Sequence, residues 1–305
     1  MTDSMIQQLQ ELRKWFRGRV LTREPLAGHT SFRIGGPADF YVFPRDMEDL
    51  AALVEYCRSQ DIPRFVIGNG TNLLVSDAGF RGIVIDLADL ACELKFKDGM
   101  IITGSSVLLG TFLKFCMERG LGGLEMLSGI PGNVGGGIML NAGAYGGEIS
   151  DHLVSLRAMD GYGILEKYGR EDIHFGYRSI SLDTGSIIVD AVFRMNEGNP
   201  KEIEMNQRAI LRKRKESQPL TLPSAGSVFK RPAGDYAGRL IEEAGCKGLR
   251  IGDAMVSKKH ANFIVNCNVA TANHVLAVIN EVRERVHKQF DVQLETEIHF
   301  LGFDE

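Results

Sequence analysis

The stretch SGIPGNVGGGIMLNAGAYG at 128–146 decides the fold class of this chain. Glycine makes up 35 of the 305 residues, and 11 of these glycines fall between Gly120 and Gly147. They are interleaved with Leu, Ile, Met, Asn and Tyr, whereas a flexible Gly/Ser linker lacks apolar residues. Glycine among apolar residues usually marks backbone that passes close to other backbone or to a ligand. Two interpretations stand: a close helix–strand crossing, or a cradle for a dinucleotide or a flat ring.

Another glycine-rich stretch, GNGTNLLVSD at 68–77, lies earlier in the chain and follows the apolar run Phe65–Ile67. In chain order, 68–77 is the first glycine-rich stretch and 128–146 the second. Gly68 and Gly70 allow positive φ and can aim consecutive N–H groups into one concavity that suits a pyrophosphate. The stretch is not a Rossmann fingerprint, because Leu73 replaces the third glycine, and no Lys-Ser or Lys-Thr follows to make a Walker P-loop. A tight strand-to-loop turn is the alternative interpretation.

Together the two stretches favour a large, anionic and partly aromatic ligand, which points to a dinucleotide such as FAD. We expect it to be bound by backbone N–H groups of the glycines and by Thr, Asn and Ser side chains. The predicted cofactor contacts are Gly68, Asn69, Gly70, Thr71, Asn72, Ser128, Gly129, Ile130, Gly132, Asn133, Gly135, Asn141, Ala142 and Gly143.

Composition and charge exclude several classes of protein. The formal net charge of −4 provides no basic field for nucleic acid or anionic lipid. No apolar run reaches the roughly 20 residues that span a bilayer, and the N-terminus does not read as a signal peptide. Because the sequence has no CxxC or HExxH spacing, we expect no metal site. We also expect a cytoplasmic protein whose cysteines are reduced thiols: Cys57, Cys92, Cys116, Cys246 and Cys267.

Hydrophobic periodicity predicts an α+β chain of three domains. The first covers 1–86 and is joined by a C-terminal strand at 294–305; the second covers 87–218 and the third 219–293. We expect helices near 6–15, 46–60, 108–119, 203–215, 236–244 and from 271 onward, and strands near 40–43, 65–67, 83–87, 93–97, 100–103, 187–193 and 263–266. Alternation at the C-terminus places Leu294, Thr296, Ile298 and Phe300 on one face of the last strand.

Over almost its whole length, the sequence resembles those of the UDP-N-acetylenolpyruvoylglucosamine reductase (UDP-N-acetylmuramate dehydrogenase) family. The resemblance is carried by both glycine-rich stretches and by HTSFRIGGPADFYVFP at 29–44, FGYRSI at 175–180, PSAGSVFKRP at 223–232, AGRLIEEAGCKGLRIGDAMVSKKHANFIVN at 237–266 and LETEIHFLG at 294–302. It implies a two-subdomain FAD-binding fold of the vanillyl-alcohol-oxidase type, with a smaller α+β domain over the substrate.

The resemblance also implies a reaction of bacterial peptidoglycan synthesis, the reduction of UDP-N-acetylglucosamine enolpyruvate by NADPH. Hydride reaches substrate C3 through flavin N5, and negative charge that develops at C2 must be stabilised and protonated. By resemblance, Arg178 holds the substrate carboxylate, Ser227 donates the proton to C2 and Glu297 stabilises the enolate in protonated form. Without the resemblance, Ser227 reads as a turn serine and Glu297 as a solvated strand carboxylate. Substrate contacts are expected at Tyr177, Lys230 and Arg231.

Two departures from the family pattern are visible. Only residues 179–186 separate Arg178 from the strand that begins at Ile187, so the chain resembles the shorter branch, without the inserted loop whose tyrosine closes over the substrate. Asn133 stands where the family commonly has Thr or Ser. We expect a monomer, and the competing hypotheses are an FAD-dependent oxidase of the same fold and a non-catalytic nucleotide-sugar binding protein.

Overall fold

A computed structural model describes residues 3–90, 93–183 and 185–303 of the chain. These residues form two compact units. Unit 1 contains the described residues up to Thr22, Asp39–Gly68 and Gly82–Arg212, and unit 2 contains Arg23–Ala38, Asn69–Arg81 and the described residues from Lys213 on. The division into three domains stays a prediction.

Two of the longer helices begin at a capping side chain. Asp46 caps the second helix by accepting from the N–H of Asp49, and Thr271 caps the last one by accepting from His274. Within the described residues the α-helices are Asp3–Trp15 (α1), Met47–Ser59 (α2), Leu109–Met117 (α3), Val134–Met139 (α4), Pro200–Ser217 (α5), Ala237–Glu243 (α6) and Ala272–Phe290 (α7).

Strands form over the predicted β-branched and aromatic runs and over several shorter pieces. They are Arg19–Pro25 (β1), Pro37–Phe43 (β2), Arg64–Ile67 (β3), Leu73–Val75 (β4), Phe80–Asp86 (β5), Leu94–Lys97 (β6), Met100–Gly104 (β7), Leu121–Gly122 (β8), Gly143–Ala144 (β9), Gly147–Glu148 (β10), Leu153–Met159 (β11), Leu165–Gly169 (β12), Phe175–Gly176 (β13), Ser179–Ile180 (β14), Ile187–Phe193 (β15), Asn196–Glu197 (β16), Arg250–Ile251 (β17), Ala254–Val256 (β18), Ile264–Asn266 (β19) and His299–Leu301 (β20).

Unit 1 is organised around an antiparallel sheet of order β12-β11-β15-β7-β6. The central strand β15 is buried on both sides, and its residues pack into two apolar clusters. One cluster contains Phe112 and Phe193, whose rings are 5.1 Å apart, and the other contains Ile187 and Val189. A second sheet has the order β1-β2-β5-β3, in which β3 and β5 run parallel.

Unit 2 has its own core around helix α7 and the antiparallel sheet β17-β18-β19. Val275, Ile279, Val282 and Val286 of α7 are fully buried, as the periodicity predicts. Among residues 3–90, 93–183 and 185–303, no helix combines the length and the apolar character that a membrane span requires.

The C-terminal strand is shorter than the alternation predicts, because the chain changes its pairing partner. The N–H of Glu297 donates to the Val228 carbonyl at 2.7 Å, whereas the N–H of His299 donates to the Asn72 carbonyl at 3.0 Å. Only His299–Leu301 forms a regular strand, parallel to β4. Leu294 and Ile298 are buried, whereas Phe300, predicted on the same face, is 37% exposed.

Candidate active site

The first glycine-rich stretch begins in unit 1 with Gly68 and continues in unit 2 from Asn69. Gly70 has φ of +57°, and a Cβ at this position would lie 2.0 Å from the His29 carbonyl oxygen. Gly68 does not have positive φ, contrary to our expectation. A Cβ there would instead lie 2.8 Å from Oδ1 of Asn133, a residue of the second stretch. Gly70 therefore requires glycine, because backbone lies against it, whereas a side chain at Gly68 would displace the Asn133 amide.

The rest of this loop is tied into unit 2. Nδ2 of Asn72 donates to the Glu297 carbonyl at 3.0 Å, so part of its predicted donor capacity is used within the protein. The Asp77 carboxylate accepts from the first N–H groups of α7, those of Ala272 at 2.7 Å and Asn273 at 3.1 Å. The loop is therefore fixed at Gly70, at Asn72 and at Asp77.

The second glycine-rich stretch makes the close backbone crossing that one of the two interpretations predicts. The Gly132 carbonyl accepts from the N–H of Leu109, and the N–H of Gly135 donates to the Ser105 carbonyl at 2.8 Å. A Cβ at Gly135 would lie 2.7 Å from the Cβ of Ser105. Because its N–H is already bonded, the expectation of an exposed Gly135 N–H is wrong.

The same stretch also keeps three buried oxygen atoms without a hydrogen-bond partner in the described part of the chain. They are Oγ of Ser128, Oδ1 of Asn133 and Oδ1 of Asn141. Ser128 is 4% exposed and Asn141 1%. An unpaired buried polar atom costs about 1–3 kcal/mol, so such a group indicates a missing partner. A ligand with several N–H and O–H donors, as a flavin dinucleotide has, fits these acceptors.

Arg178 of unit 1 lies in the two-residue turn between β13 and β14. Its φ is +56°, a conformation that costs a non-glycine residue about 1–3 kcal/mol and that persists only where surrounding structure holds it. Its Nη1 donates to the Gly143 carbonyl at 3.3 Å, and its guanidinium lies 5.3 Å from the ring centre of Tyr177. The turn thus presents a half-buried arginine beside the second glycine-rich stretch.

Ser227 and Glu297 both lie in unit 2, on segments that pair with each other. Gly226 with φ of +78° precedes Ser227, and Phe229 pairs with Thr296 in an antiparallel bridge. The Val228 carbonyl accepts from the N–H of Glu297. The backbone of Glu297 therefore lies next to Val228, which directly follows Ser227 in the chain.

Asn262 is a residue of this region that sequence reasoning missed. It is 8% exposed, its Oδ1 accepts from the N–H of Phe229 at 3.0 Å and its Nδ2 donates to the Phe229 carbonyl at 2.8 Å. The Asn262 carbonyl also accepts from the N–H of Val228. An asparagine within the apolar run ANFIV at 261–265 was the available signal, because a buried amide requires specific partners.

The predicted substrate contacts Lys230 and Arg231 have neighbours on the surface of unit 2. Lys230 forms an ion pair with Glu295 at 3.2 Å, and the guanidinium of Arg231 lies 4.6 Å from the ring centre of Tyr236. An exposed pair of this kind contributes about 0–1 kcal/mol, so Lys230 can exchange it for a ligand anion. Partial desolvation of the ring by neighbouring groups, assisted by the positive charge of Lys230, lowers the pKa of His299.

Unit 2 also contains a cavity of about 330 Å³ that the sequence did not reveal. Three lysines and several apolar side chains line it, which suits an anionic ligand with an apolar part. Nζ of Lys259 donates to the Lys215 carbonyl, so this ammonium is held at the wall. The lining residues are Lys215, Gln218, Pro219, Leu220, Thr221, Leu222, Met255, Ser257, Lys258, Lys259 and Val265.

The described thiols are free and take no part in these sites. Burial raises the pKa of Cys57 to about 11 and that of Cys116 to about 12, which keeps both protonated. Cys246 and Cys267 are also free, and Cys92 lies outside the described residues. Within residues 3–90, 93–183 and 185–303, no group of His, Cys, Asp or Glu side chains is arranged to hold a metal ion.

Comparison with known proteins agrees with this geometry. Residues 38–169 match the family model described as FAD binding domain, and residues 218–301 match that of the C-terminal domain of UDP-N-acetylenolpyruvoylglucosamine reductase. The first match contains the second glycine-rich stretch, and the second contains Ser227 and Glu297.

The chain is similar over most of its length to named relatives. UDP-N-acetylenolpyruvoylglucosamine reductase of Clostridium tetani is 43% identical over 286 residues, 93% of each chain, and that of Alkaliphilus oremlandii is 43% identical over 284 residues, also 93% of each. The crystal structure of the Thermus caldophilus reductase is 38% identical with a TM-score of 0.80, covering 93% of this chain and 99% of that one. These matches confirm the predicted α+β FAD-binding fold, and the chain belongs to the UDP-N-acetylenolpyruvoylglucosamine reductase family.

Proposed function

We propose that this protein reduces UDP-N-acetylglucosamine enolpyruvate to UDP-N-acetylmuramate, with FAD as cofactor and NADPH as hydride donor. The structural observation that supports the proposal best is the set of three buried, unpaired acceptors, because they lie on the stretch that matches the FAD binding domain model. The substrate follows from the family to which the chain belongs.

When bound, FAD supplies the two-electron carrier between the nicotinamide and the enolpyruvyl double bond. In unit 1 the residues that would hold it are those with unpaired oxygens, Ser128, Asn133 and Asn141, together with Gly68, where the lack of a Cβ leaves room for Asn133. In unit 2 the loop Asn69–Thr71 is the proposed pyrophosphate contact.

Arg178 is the proposed binding residue for the substrate carboxylate. A guanidinium holds a carboxylate or an enolate through two parallel hydrogen bonds, and it keeps its charge at any physiological pH. Reduction spreads negative charge from C2 into the carboxylate, so this contact strengthens as the reaction proceeds. The strained turn supports the proposal, since strain of this kind is common at functional sites.

Ser227 is the proposed donor of the proton that C2 receives, and Glu297 the proposed stabiliser of the enolate. A serine hydroxyl is a weak acid, but a carbanion at C2 is a strong enough base to take its proton. Glu297 would act in its protonated form, as a hydrogen-bond donor to the enolate oxygen. The paired backbones of the two segments support a shared role.

The lysine-lined cavity is the proposed site for the anionic part of the nucleotide sugar, with Tyr177, Lys230 and Arg231 as further substrate contacts. Lys215, Lys258 and Lys259 offer ammonium groups to a diphosphate, and the apolar wall suits a flat base. The proposal also includes a monomeric protein in the cytoplasm, acting in peptidoglycan synthesis and so in cell shape and division.

Product analysis tests the proposal. The holoprotein is incubated with NADPH and UDP-N-acetylglucosamine enolpyruvate, and the nucleotide sugar is examined by mass spectrometry and NMR. We expect a product heavier by two hydrogen atoms, with a methyl group at C3 and one hydrogen at C2. Recovery of unchanged substrate while NADPH is consumed only in air would overturn the proposal in favour of an oxidase.

A further inference from the structure

Asn141 uses its side-chain donors within the protein. It is 1% exposed and has φ of +39°. Its Nδ2 donates to Oε2 of Glu148 at 2.6 Å and to the Gly176 carbonyl at 3.2 Å. A carboxamide nitrogen carries two hydrogens, so both are used, and only Oδ1 remains for a ligand.

The carbonyl that Asn141 holds belongs to the turn that carries Arg178. Gly176 ends β13 and pairs with Ser179, so the two turn residues between them depend on the position of its carbonyl. Arg178 has φ of +56°, and without external contacts a non-glycine residue leaves this region readily. The contact from Asn141 is a buried anchor for this strained turn.

Glu148 determines which way the amide of Asn141 points. A carboxylate only accepts hydrogen bonds, so the nitrogen rather than the oxygen of the amide must face it, and the second N–H is then directed at Gly176. Glu148 is itself fixed, because it pairs with Gly143 between β9 and β10 and its N–H donates to Asp151 at 2.8 Å. The Gly143 carbonyl also accepts from Nη1 of Arg178, so Glu148 and Arg178 both contact Gly143 of β9.

We propose that Asn141 and Glu148 are positioning residues that hold the turn in which Arg178 binds the substrate carboxylate. The proposal rests on the proposed function in one respect, the role of Arg178 toward the substrate. It assigns one amide N–H of Asn141 to Glu148 and the other to the turn, and neither to the cofactor.

The test compares Asn141→Gly with the matched control Asn206→Ala, which alters an exposed asparagine of α5 in the same unit. Glycine accepts positive φ, so the variant removes the amide without adding backbone strain. Binding of UDP-N-acetylglucosamine enolpyruvate to the oxidised holoenzyme is measured without NADPH, from the change in the flavin spectrum. A misplaced turn weakens the charged hydrogen bond between Arg178 and the substrate carboxylate. We therefore expect the Kd for substrate to rise about tenfold or more in Asn141→Gly and to stay unchanged in the control.

Three further readouts separate positioning from a general structural effect. Amide hydrogen exchange over residues 174–181 should quicken in Asn141→Gly when FAD is saturating. The affinity for FAD should fall about fivefold, because the variant also removes the acceptor Oδ1, so all substrate titrations are made at saturating FAD. Glu148→Gln can still accept from Nδ2 but no longer excludes the flipped amide, so it should weaken substrate binding less than Glu148→Ala, which should match Asn141→Gly in its loss of substrate binding. In an Arg178→Lys background, Asn141→Gly should add little to the loss of substrate binding, because both changes remove the same contact.

Other results would overturn the proposal. If Asn141→Gly weakens FAD binding but leaves substrate binding and exchange unchanged, Asn141 is a cofactor contact and not a positioning residue. The same fold loss of substrate binding in wild-type and Arg178→Lys backgrounds would show that Asn141 acts independently of the arginine. If the wild-type holoenzyme fails to bind the substrate, the proposed function is wrong, and the exchange rates of 174–181 still decide whether Asn141 holds the turn.

Discussion

Gly68→Ala is the substitution that tests the cofactor cradle most selectively. A Cβ at residue 68 would lie 2.8 Å from Oδ1 of Asn133, whereas ordinary contact begins at 3.4 Å, so the amide must retreat by at least the difference, 0.6 Å. Nδ2 of Asn133 also donates to the Ser106 carbonyl at 2.6 Å, and that bond limits the retreat. The side chain must therefore rotate, which misplaces an acceptor that has no partner in the described part of the chain.

The expected magnitude follows from the bonds that are lost. One to two hydrogen bonds of about 1 kcal/mol each correspond to a roughly 5- to 30-fold increase in the Kd for FAD. The free energy of unfolding of the apoprotein should change by less than about 1 kcal/mol, because the obstructing atom is the end of a side chain and can move.

The assay is titration of apoprotein with FAD, followed by the quenching of flavin fluorescence. Gly110→Ala is the matched control, because it adds the same methyl group in the same unit but meets no atom within 4 Å. We expect the control to bind FAD like wild type and to be slightly more stable, since alanine favours its helix. Equal FAD affinity in Gly68→Ala and Gly110→Ala would refute the argument that Asn133 is a cofactor acceptor.

Three further predictions concern the chemistry and the loop of unit 2. Ser227→Ala should leave flavin reduction by NADPH intact but slow flavin reoxidation by substrate about 10²- to 10⁴-fold in stopped-flow traces; equal slowing of both steps would exclude a specific proton donor. Asn72→Ala removes the bond to the Glu297 carbonyl and should lower kcat more than it alters the Kd for FAD, whereas the reverse pattern would make Asn72 a cofactor contact. Gly70→Ala should lower the free energy of unfolding, measured in urea, by about 1–3 kcal/mol more than Gly99→Ala. Both glycines have positive φ, but only at residue 70 would the added Cβ meet a backbone oxygen, and equal losses would contradict this.

Sequence patterns were sufficient for the elements whose determinants are local. The start of the periodic helix α7 and both ends of the β-branched strand Ile187–Phe193 were predicted close to where they are observed. The strands predicted near 93–97 and 100–103 pair with each other, and the chain reverses between them at Asp98 and Gly99, which both adopt positive φ. Capping groups and periodicity lie within a few residues of each other, so they can be read along the chain.

Features that depend on distant pairing were not predictable. Asn72 and Glu297 are separated by 225 positions, and only the fold shows that their segments meet. The same holds for the Gly135 N–H, which finds the Ser105 carbonyl, and for the end of the C-terminal strand, where the partner changes. The roles of Arg178, Ser227 and Glu297 came from family resemblance and stay predictions, since chemistry at a substrate cannot be read from periodicity.

The central claim is tested most directly by an anaerobic absorbance trace of the purified holoprotein. NADPH is added first and UDP-N-acetylglucosamine enolpyruvate second, while the flavin band is followed. The account predicts bleaching by NADPH and recovery of the band on addition of substrate, with no oxygen present. Bleaching that recovers only when air is admitted would contradict the account and favour an oxidase. The absence of a flavin band even after FAD is added would also contradict it and favour a nucleotide-sugar binding protein.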